Sequence, residues 1–317
     1  MSVNAPTEGR TGRPLHVLGF FWDGFVPRLE AYDTEAGEVV DVPLDRLDMS
    51  VSEERTCIGS FDDIYRPCLT GRPVGRFAQC RTCAGDRAEI QRCVFEPQCD
   101  GRSCEHRDFC ARRHVVYLAA YGTLVKVGMT SAGRLRRRGI EQGADAILPV
   151  LMCQDRQEAR RLEKETSARF RLPQELKVAR IADHWTHPPS RDVSENVLAN
   201  HRRRIASWRE TMDDEVVHLD GYPMRSYPRT PPTVAPVVGR HGGDVLGVKG
   251  RFMIYRPRGG ESRLLDLSDL PSRTVVLGAA DAGRPGPALA ERQWEQMPLD
   301  IRMDAKARQL HRKASQI

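Results

Sequence analysis

Apolar and polar residues alternate in three short runs near the start of the chain: LHVLGFFWDGF, VPRLEAYD and EVVDVPL. Glycine and aspartate residues separate these runs, which is typical of strands joined by tight turns. The pattern predicts a small antiparallel β unit within residues 1–56. Similar runs return after a proline-rich linker, in DVLGVKGRFMIYRP and SRLLDLSDLPSRTVVLG. They predict a second small β-rich domain over residues 212–285.

The run HVVYLAAYGTLVKVGMT predicts a β-hairpin in the middle of the chain. With Tyr121 and Gly122 in the turn, Tyr117 would lie opposite Lys126 with the two Cβ atoms about 5 Å apart. The alternation of side chains along a strand places Tyr117, Lys126 and Gly128 on one face. The opposite face is apolar and consists of Val116, Leu118, Val125 and Val127.

Helical spacing dominates the region after the hairpin. SAGRLRRRGIEQGA predicts an arginine-rich helix, and ILPVLM predicts a short strand. Two more helices are predicted at residues 155–171 and 192–210. In the first of these, Glu163 falls on the inward stripe that also contains Ala159, Thr166 and Phe170. A carboxylate on the inward face of a helix needs a partner or a metal ion.

Composition is that of an ordinary globular protein, since 40% of the 317 residues are hydrophobic and 29% are charged. The most apolar stretch, Val115–Met129, is interrupted by Lys126 and is shorter than the roughly 20 residues that a spanning helix needs. We therefore expect no membrane contact. Because the first residues have no apolar segment of the signal-peptide type, we expect a cytoplasmic protein.

The net charge of +6 is concentrated in one segment, because residues 115–210 contain 18 Lys and Arg but 11 Asp and Glu. A local positive surplus favours nucleic acid as a partner. The candidate contacts on the arginine-rich helix are Arg134, Arg136 and Arg137. The sequence identifies no protein partner.

Cysteines are clustered, because eight of the nine lie within 54 residues: Cys57, Cys68, Cys80, Cys83, Cys93, Cys99, Cys104 and Cys110. A reducing compartment disfavours disulfides, and the C-x-x-C pair Cys80–Cys83 has the spacing of a zinc knuckle. We predict about two structural zinc ions, each bound by four consecutive members of the set. His106 or His114 could replace one ligand, and an iron–sulfur cluster or free buried thiols are the alternatives. Cys153 stands apart and is predicted to be a packed core thiol.

The order of hairpin, arginine helix, strand and glutamate helix resembles the GIY-YIG nuclease superfamily. The tyrosine of that family's first motif corresponds to Tyr117 in Val-Val-Tyr, and its second motif corresponds to Lys126-Val-Gly, with lysine where tyrosine is usual. Its helical arginine falls on Arg136 or Arg138, and its metal-binding glutamate falls on Glu163. The chain also resembles an uncharacterised bacterial family that joins a cysteine-rich module to such a core. That family's arginine before a D/E-Q-G-A run favours Arg138.

The resemblance implies an α+β, multi-domain architecture. A β unit (1–56) and a cysteine-rich zinc module (57–114) precede a GIY-YIG-like core (115–211), in which helices flank a short antiparallel sheet. The β-rich domain (212–285) and a charged tail (286–317) follow the core.

The resemblance also implies metal-dependent hydrolysis of phosphodiesters in nucleic acid. Tyr117 would act as general base or orient the water, with its pKa lowered by Lys126. Arg138 would clamp the phosphate, and Glu163 would hold one Mg²⁺ or Mn²⁺ ion. Two alternatives lack catalysis: a zinc-containing nucleic-acid-binding or regulatory protein, and a protein-interaction module. In a purely structural alternative, Arg138 forms a buried salt bridge with Glu163.

Overall fold

The computed structural model describes residues 12–61, 64–85, 93, 96 and 107–278. It confirms the predicted α+β class. The predicted charged tail lies outside these described residues. Within them, no helix combines the length and the apolar character needed to cross a membrane.

The strands of the described chain are β1 (Pro14–Asp23), β2 (Val26–Asp33), β3 (Glu38–Val42), β4 (Leu47–Val51), β5 (Ser60–Phe61), β6 (Tyr65–Arg66), β7 (His114–Tyr121), β8 (Leu124–Ser131), β9 (Ala146–Cys153), β10 (Val217–His218), β11 (Thr233–Val234), β12 (Gly239–Lys249), β13 (Phe252–Arg256), β14 (Arg263–Asp266) and β15 (Thr274–Leu277). Its α-helices are α1 (Arg81–Ala84), α2 (Arg107–Cys110), α3 (Leu135–Gln142), α4 (Arg156–Phe170), α5 (Val178–Ala182) and α6 (Arg191–Ala206). The predicted helices at 155–171 and 192–210 correspond to α4 and α6, and the predicted arginine-rich helix corresponds to α3.

One nine-stranded sheet contains strands from both ends of the chain, in the order β11-β14-β13-β12-β4-β15-β1-β2-β3. Only β11 and β14 pair in parallel within this described sheet. The N-terminal strand β1 pairs with β15, and β4 lies between β12 and β15. The two β segments that the sequence suggests as separate units therefore share one sheet. In this arrangement β4 and β1 each have a hydrogen-bonded neighbour on both sides, so neither is an exposed edge strand. The domain boundaries themselves stay a prediction.

A second sheet has the order β10-β9-β7-β8, with every pair antiparallel. Its hairpin register differs from the predicted one by two residues: Tyr117 lies opposite Gly128, and Lys126 lies opposite Ala119. The turn consists of residues 122–123 because Gly122 adopts a positive φ of 56°, which suits the first turn position of a two-residue hairpin. The Gly122 N–H also donates to Asp145 Oδ2 at 2.6 Å.

Both faces of the second sheet are buried. The predicted apolar face, with Val116, Leu118, Val125 and Val127, packs against residues of α4 and α6 in one core. Tyr117 and Ala119 belong to a different core, shared with the nine-stranded sheet through Trp22 and Phe252. The prediction of two distinct faces is confirmed, since a shift of two residues leaves each side chain on the same face.

Polar contacts surround the point where the two sheets meet. Lys249, at the end of β12, forms a buried ion pair with Asp145, the residue before β9, and this pair joins the two sheets. Trp22 Nε1 donates to Gly250 O at 2.8 Å, which ties β1 to the β12–β13 turn within the nine-stranded sheet. Tyr222, in the loop after β10, donates to the Ala144 carbonyl at 3.1 Å and holds the segment between α3 and β9.

Candidate functional site

Four thiols form a compact cluster in the segment that follows β4: Cys57, Cys68, Cys80 and Cys83. Their sulfur atoms all lie within 4.8 Å of one another. A tetrahedral zinc ion with Zn–S bonds of about 2.3 Å places sulfur atoms about 3.8 Å apart, so the cluster has the size of such a site.

Short local elements position these four cysteines. Cys57 follows β4 and is buried, and its N–H donates to Arg72 O at 2.9 Å. Cys68 follows the β5–β6 hairpin. Cys80 is the N-cap of α1, and Cys83 lies one helical turn later, so a single turn supplies two of the sulfur atoms.

Backbone N–H groups point at the buried sulfur of the cluster. Cys57 Sγ accepts from Cys80 N at 3.2 Å and from Gly59 N at 3.4 Å. The glycine at 59 is required by its φ of 85° and because an added Cβ would lie 2.1 Å from Arg66 O. Such N–H donors are favourable to a thiolate, the form of cysteine that binds metal.

Electrostatics divides the four thiols into two pairs. Burial raises the pKa of Cys57 and of Cys83. The backbone N–H of Cys83 lowers the pKa of Cys80. At Cys68, burial raises the pKa, but hydrogen bonds led by Thr70 outweigh it and lower the pKa to about 6. A divalent cation would favour the thiolate form of all four, so the cluster could hold a metal ion such as zinc.

The second predicted zinc set is only partly described. Cys93 and the buried Cys110 are described, whereas Cys99, Cys104 and His106 lie outside the described residues. His114 is buried, and its Nδ1 lies 2.7 Å from Arg112 O, in hydrogen-bond contact with that carbonyl. The second zinc ion stays a prediction.

Tyr117 is fully buried on β7, with 0% of its surface exposed. Its hydroxyl donates to Gln142 Oε1 at 3.0 Å. Burial raises the pKa of Tyr117, with a further contribution from the Glu163 charge, while the Arg138 guanidinium acts in the opposite direction. The phenol is therefore protonated at neutral pH, which disagrees with the expectation of a tyrosine whose pKa Lys126 lowers.

Lys126 lies on the edge strand β8, on the same face as Tyr117 but two residues from the predicted position. Among the described residues, no hydrogen bond or ion pair holds its ammonium group. Burial and the nearby Arg138 charge lower the pKa of Lys126 to about 8, although the carboxylates of Glu163 and Glu175 act in the opposite direction. The side chain can therefore exchange a proton near neutral pH.

Helix α4 carries Glu163 on its buried face, as predicted, and the residue is only 5% exposed. The Asp155 side chain caps this helix by accepting from Glu158 N at 2.8 Å. Arg160, one turn before Glu163, donates to Glu163 Oε2 at 2.5 Å. Burial nevertheless raises the pKa of Glu163. The carboxylate thus has a partner on its own helix, not the Arg138 of the structural alternative.

Arg138 on α3 lies near enough to Tyr117 for its charge to favour the ionised phenol, and its Nη1 lies 3.6 Å from Glu141 Oε2. Glu141 Oε1 also accepts from Arg134 and Arg137, each at 3.0 Å. Arg136 is exposed and stacks over the Phe25 ring at 5.4 Å. The arginine-rich helix is therefore partly neutralised by one glutamate.

Two partners at this site were not identified from the sequence. Gln142 accepts a hydrogen bond from Tyr117, and its position in the E-Q-G-A run was the sequence feature that could have pointed to it. Arg160 precedes Glu163 by three residues, and this i, i+3 spacing predicts an ion pair on a helix. The four candidate residues form one electrostatic group, since the charges of Arg138 and Glu163 both act on Tyr117 and on Lys126.

Fold and cysteine cluster together define an α+β protein with a candidate four-cysteine metal site. The chain belongs to the DUF2797 family, described as a protein of unknown function, and the sequence model of that family matches residues 45–264. This match begins in the loop before β4 and ends in β14, so it contains both the thiol cluster and the second sheet. No curated protein and no solved structure matches the chain.

Proposed function

We propose that this protein hydrolyses phosphodiester bonds in nucleic acid, in a metal-dependent reaction, and that the four-cysteine cluster binds a structural zinc ion. The observation that carries the proposal is the grouping of Tyr117, Lys126, Arg138 and Glu163. They come from four different elements: β7, β8, α3 and α4. Titratable groups whose pKa values are shifted by burial and by one another are concentrated at functional sites, and this supports a chemical role for the group.

Each side chain has a role in such a reaction. The Arg138 guanidinium can bind two phosphate oxygens at once, and Glu141, 3.6 Å away, holds it on the face of α3. Lys126, with a pKa of about 8, is the group best able to accept the proton of the attacking water. Tyr117, as a neutral hydroxyl, donates to Gln142 and positions that side chain. The proton-accepting role thus moves from the tyrosine to the lysine.

Glu163 would hold a Mg²⁺ or Mn²⁺ ion. Its Oε2 is engaged by Arg160, and Mg²⁺ commonly takes one or two protein carboxylates with water in its other positions. A single carboxylate oxygen at the site therefore fits this ion. When bound, the ion supplies Lewis-acid stabilisation of charge on the phosphate.

The test is an assay of the zinc-loaded full chain with plasmid, single-stranded, branched and RNA substrates in Mg²⁺ and in Mn²⁺. Glu163→Gln should abolish cleavage while the zinc content stays unchanged. Glu165→Gln, on the exposed part of the same helix, is the matched control and should cleave normally. Cleavage that survives Glu163→Gln, or that chelation of Mg²⁺ leaves unaffected, would refute the proposal.

A non-catalytic nucleic-acid-binding protein is the second candidate. The complete burial of Tyr117 and the ion pair at Glu163 favour it, since both are also typical of a packed core. In this case no substrate would be cut, but labelled nucleic acid would still bind, with an affinity that falls steeply as salt rises. Replacing both Arg136 and Arg137 by Glu should then weaken binding to every sequence.

A further inference from the structure

A groove lies on the nine-stranded sheet where β12 pairs with β4, in a different part of the molecule from the Tyr117 site. Its volume is about 580 Å³. Gly242 and Gly243, opposite Asp48 and Leu47, line it without side chains of their own. Gly243 must be glycine, because its φ is 147° and an added Cβ would lie 2.2 Å from Arg256 O. At these two positions the groove is therefore lined by backbone alone.

Four arginines from separate segments line this groove: Arg46, Arg225, Arg240 and Arg258. They belong to the loop before β4, the loop after β10, strand β12 and the loop after β13. More than two hundred positions of sequence separate the first from the last, so the fold itself brings the guanidinium groups together. All four side chains are exposed, and together they favour the approach of an anion to the groove.

Aspartates balance these charges only in part. Arg240 lies 3.5 Å from Asp48, whereas Arg225 donates to the carbonyl of Asp45 at 2.9 Å and keeps its charge unpaired. Among the described residues, no hydrogen bond or ion pair involves Arg258. With Asp45, Asp48 and Asp244 at the rim, the lining has four positive and three negative groups. The lining therefore has a net charge of +1, and Arg225 and Arg258 are its two guanidinium groups without a carboxylate partner among the described residues.

We propose that this groove binds the phosphate group of a ligand. A guanidinium fork matches the oxygens of phosphate and can form two parallel hydrogen bonds to it. Arg225 is already oriented by the Asp45 carbonyl, so binding needs less ordering of its side chain. The volume is within the range of small-molecule sites and accepts a mononucleotide. The same groove could equally take one phosphate of a nucleic-acid strand.

The experiment titrates the zinc-loaded full chain with pyrophosphate, ATP and a labelled single-stranded oligonucleotide. The affinity for each probe that binds should fall at least tenfold in the double variant Arg225→Gln with Arg258→Gln. Arg229→Gln, an exposed arginine of the same loop that does not line the groove, should bind normally. ATP binding without oligonucleotide binding identifies a free nucleotide, and the converse identifies a nucleic-acid backbone.

A second variant separates the groove from general surface charge. Gly242→Glu places a carboxylate in the groove, and its Cβ meets nothing closer than Leu47 O at 3.6 Å, so the fold tolerates it. It should also reduce binding at least tenfold. Failure of all three probes to bind the unchanged protein below about 1 mM would overturn the proposal. Equal binding by Gly242→Glu and the unchanged protein would overturn it as well, whatever the cleavage assay shows.

Discussion

The ring of Tyr117 lies over Gly128, its partner across the hairpin, so closely that a Cβ at position 128 would come within 2.8 Å of both Cζ and Oη. Real Cβ atoms do not approach other atoms this closely. Because Gly128 has no side chain, it leaves the space that the Tyr117 ring and hydroxyl occupy, and from there the hydroxyl donates to Gln142 Oε1. This contact explains the glycine through packing, whether or not the site is catalytic.

Gly128→Ala should therefore destabilise the protein by roughly 1–3 kcal/mol, since an extra methyl group must displace a fully buried ring. Denaturant unfolding measures the change. Gly133→Ala is the matched control, because nothing lies within 4 Å of its added Cβ, and it should be close to neutral. A double variant that also carries Tyr117→Leu should lose less stability than the sum of the single variants. Strict additivity would contradict the steric explanation.

Cys80→Ser should remove one zinc ion per chain and unfold the segment around the cluster, because the bound metal contributes energy on the order of 10 kcal/mol to the folding of such a site. Elemental analysis gives the metal content. Cys153→Ser is the comparison, since this buried thiol belongs to the core of the second sheet and not to the cluster. Equal zinc content in the two variants would exclude Cys80 as a ligand.

Local patterns were sufficient for much of the fold. The alternation of side chains along each strand predicted the two faces of the hairpin, and the helical spacing predicted that Glu163 points inward. Both predictions succeeded because each pattern depends only on a few neighbouring residues. The hairpin register failed because Tyr-Gly and Gly-Thr are both plausible turns. The choice depends on the Asp145 carboxylate, which accepts from Gly122 N and lies just before β9, far along the chain from the turn.

Distant pairing was beyond local patterns. The pair β1–β15 joins His16 to Thr274, and no alternation within either strand reveals its partner. The same holds for the raised pKa of Tyr117, which depends on burial beneath the nine-stranded sheet. For the cysteines, the C-x-x-C spacing is a local signal for Cys80 and Cys83 only. Cys57 and Cys68 were added by dividing the eight cysteines into two consecutive sets of four, and the structure brings the first set together.

Lys249→Met should destabilise the protein by about 3–5 kcal/mol, because it leaves the Asp145 carboxylate buried and unpaired. Unfolding by urea measures the loss. Adding Asp145→Asn should restore part of the stability by removing the uncompensated charge, while the amide oxygen can still accept from Gly122 N. Lys177→Met changes an exposed lysine and should have little effect. If Lys249→Met and Lys177→Met lowered the free energy of unfolding by similar amounts, the buried ion pair would not be the cause of the loss.

Lys126 should make stability depend on pH in a defined window. Its folded-state pKa of about 8 is below its usual 10.5, so between these values the unfolded chain binds a proton that the folded chain has released. The free energy of unfolding should therefore rise with pH through this window. Lys126→Met should lack this rise and should be more stable at pH 7, on the order of 1–3 kcal/mol. Lys164→Met is the control on a surface-exposed lysine of α4.

The same group should control the pH dependence of any cleavage. If neutral Lys126 accepts the proton of the attacking water, the rate should rise with pH and level off above about 8. Lys126→Arg keeps the positive charge but cannot deprotonate in this range, so it should retain nucleic-acid affinity and lose most of the rate. Cleavage rates of the unchanged protein and of Lys126→Arg, measured from pH 6 to 10, test this assignment of the proton acceptor. An unchanged profile in Lys126→Arg would assign the proton to another group and leave Lys126 only an electrostatic role.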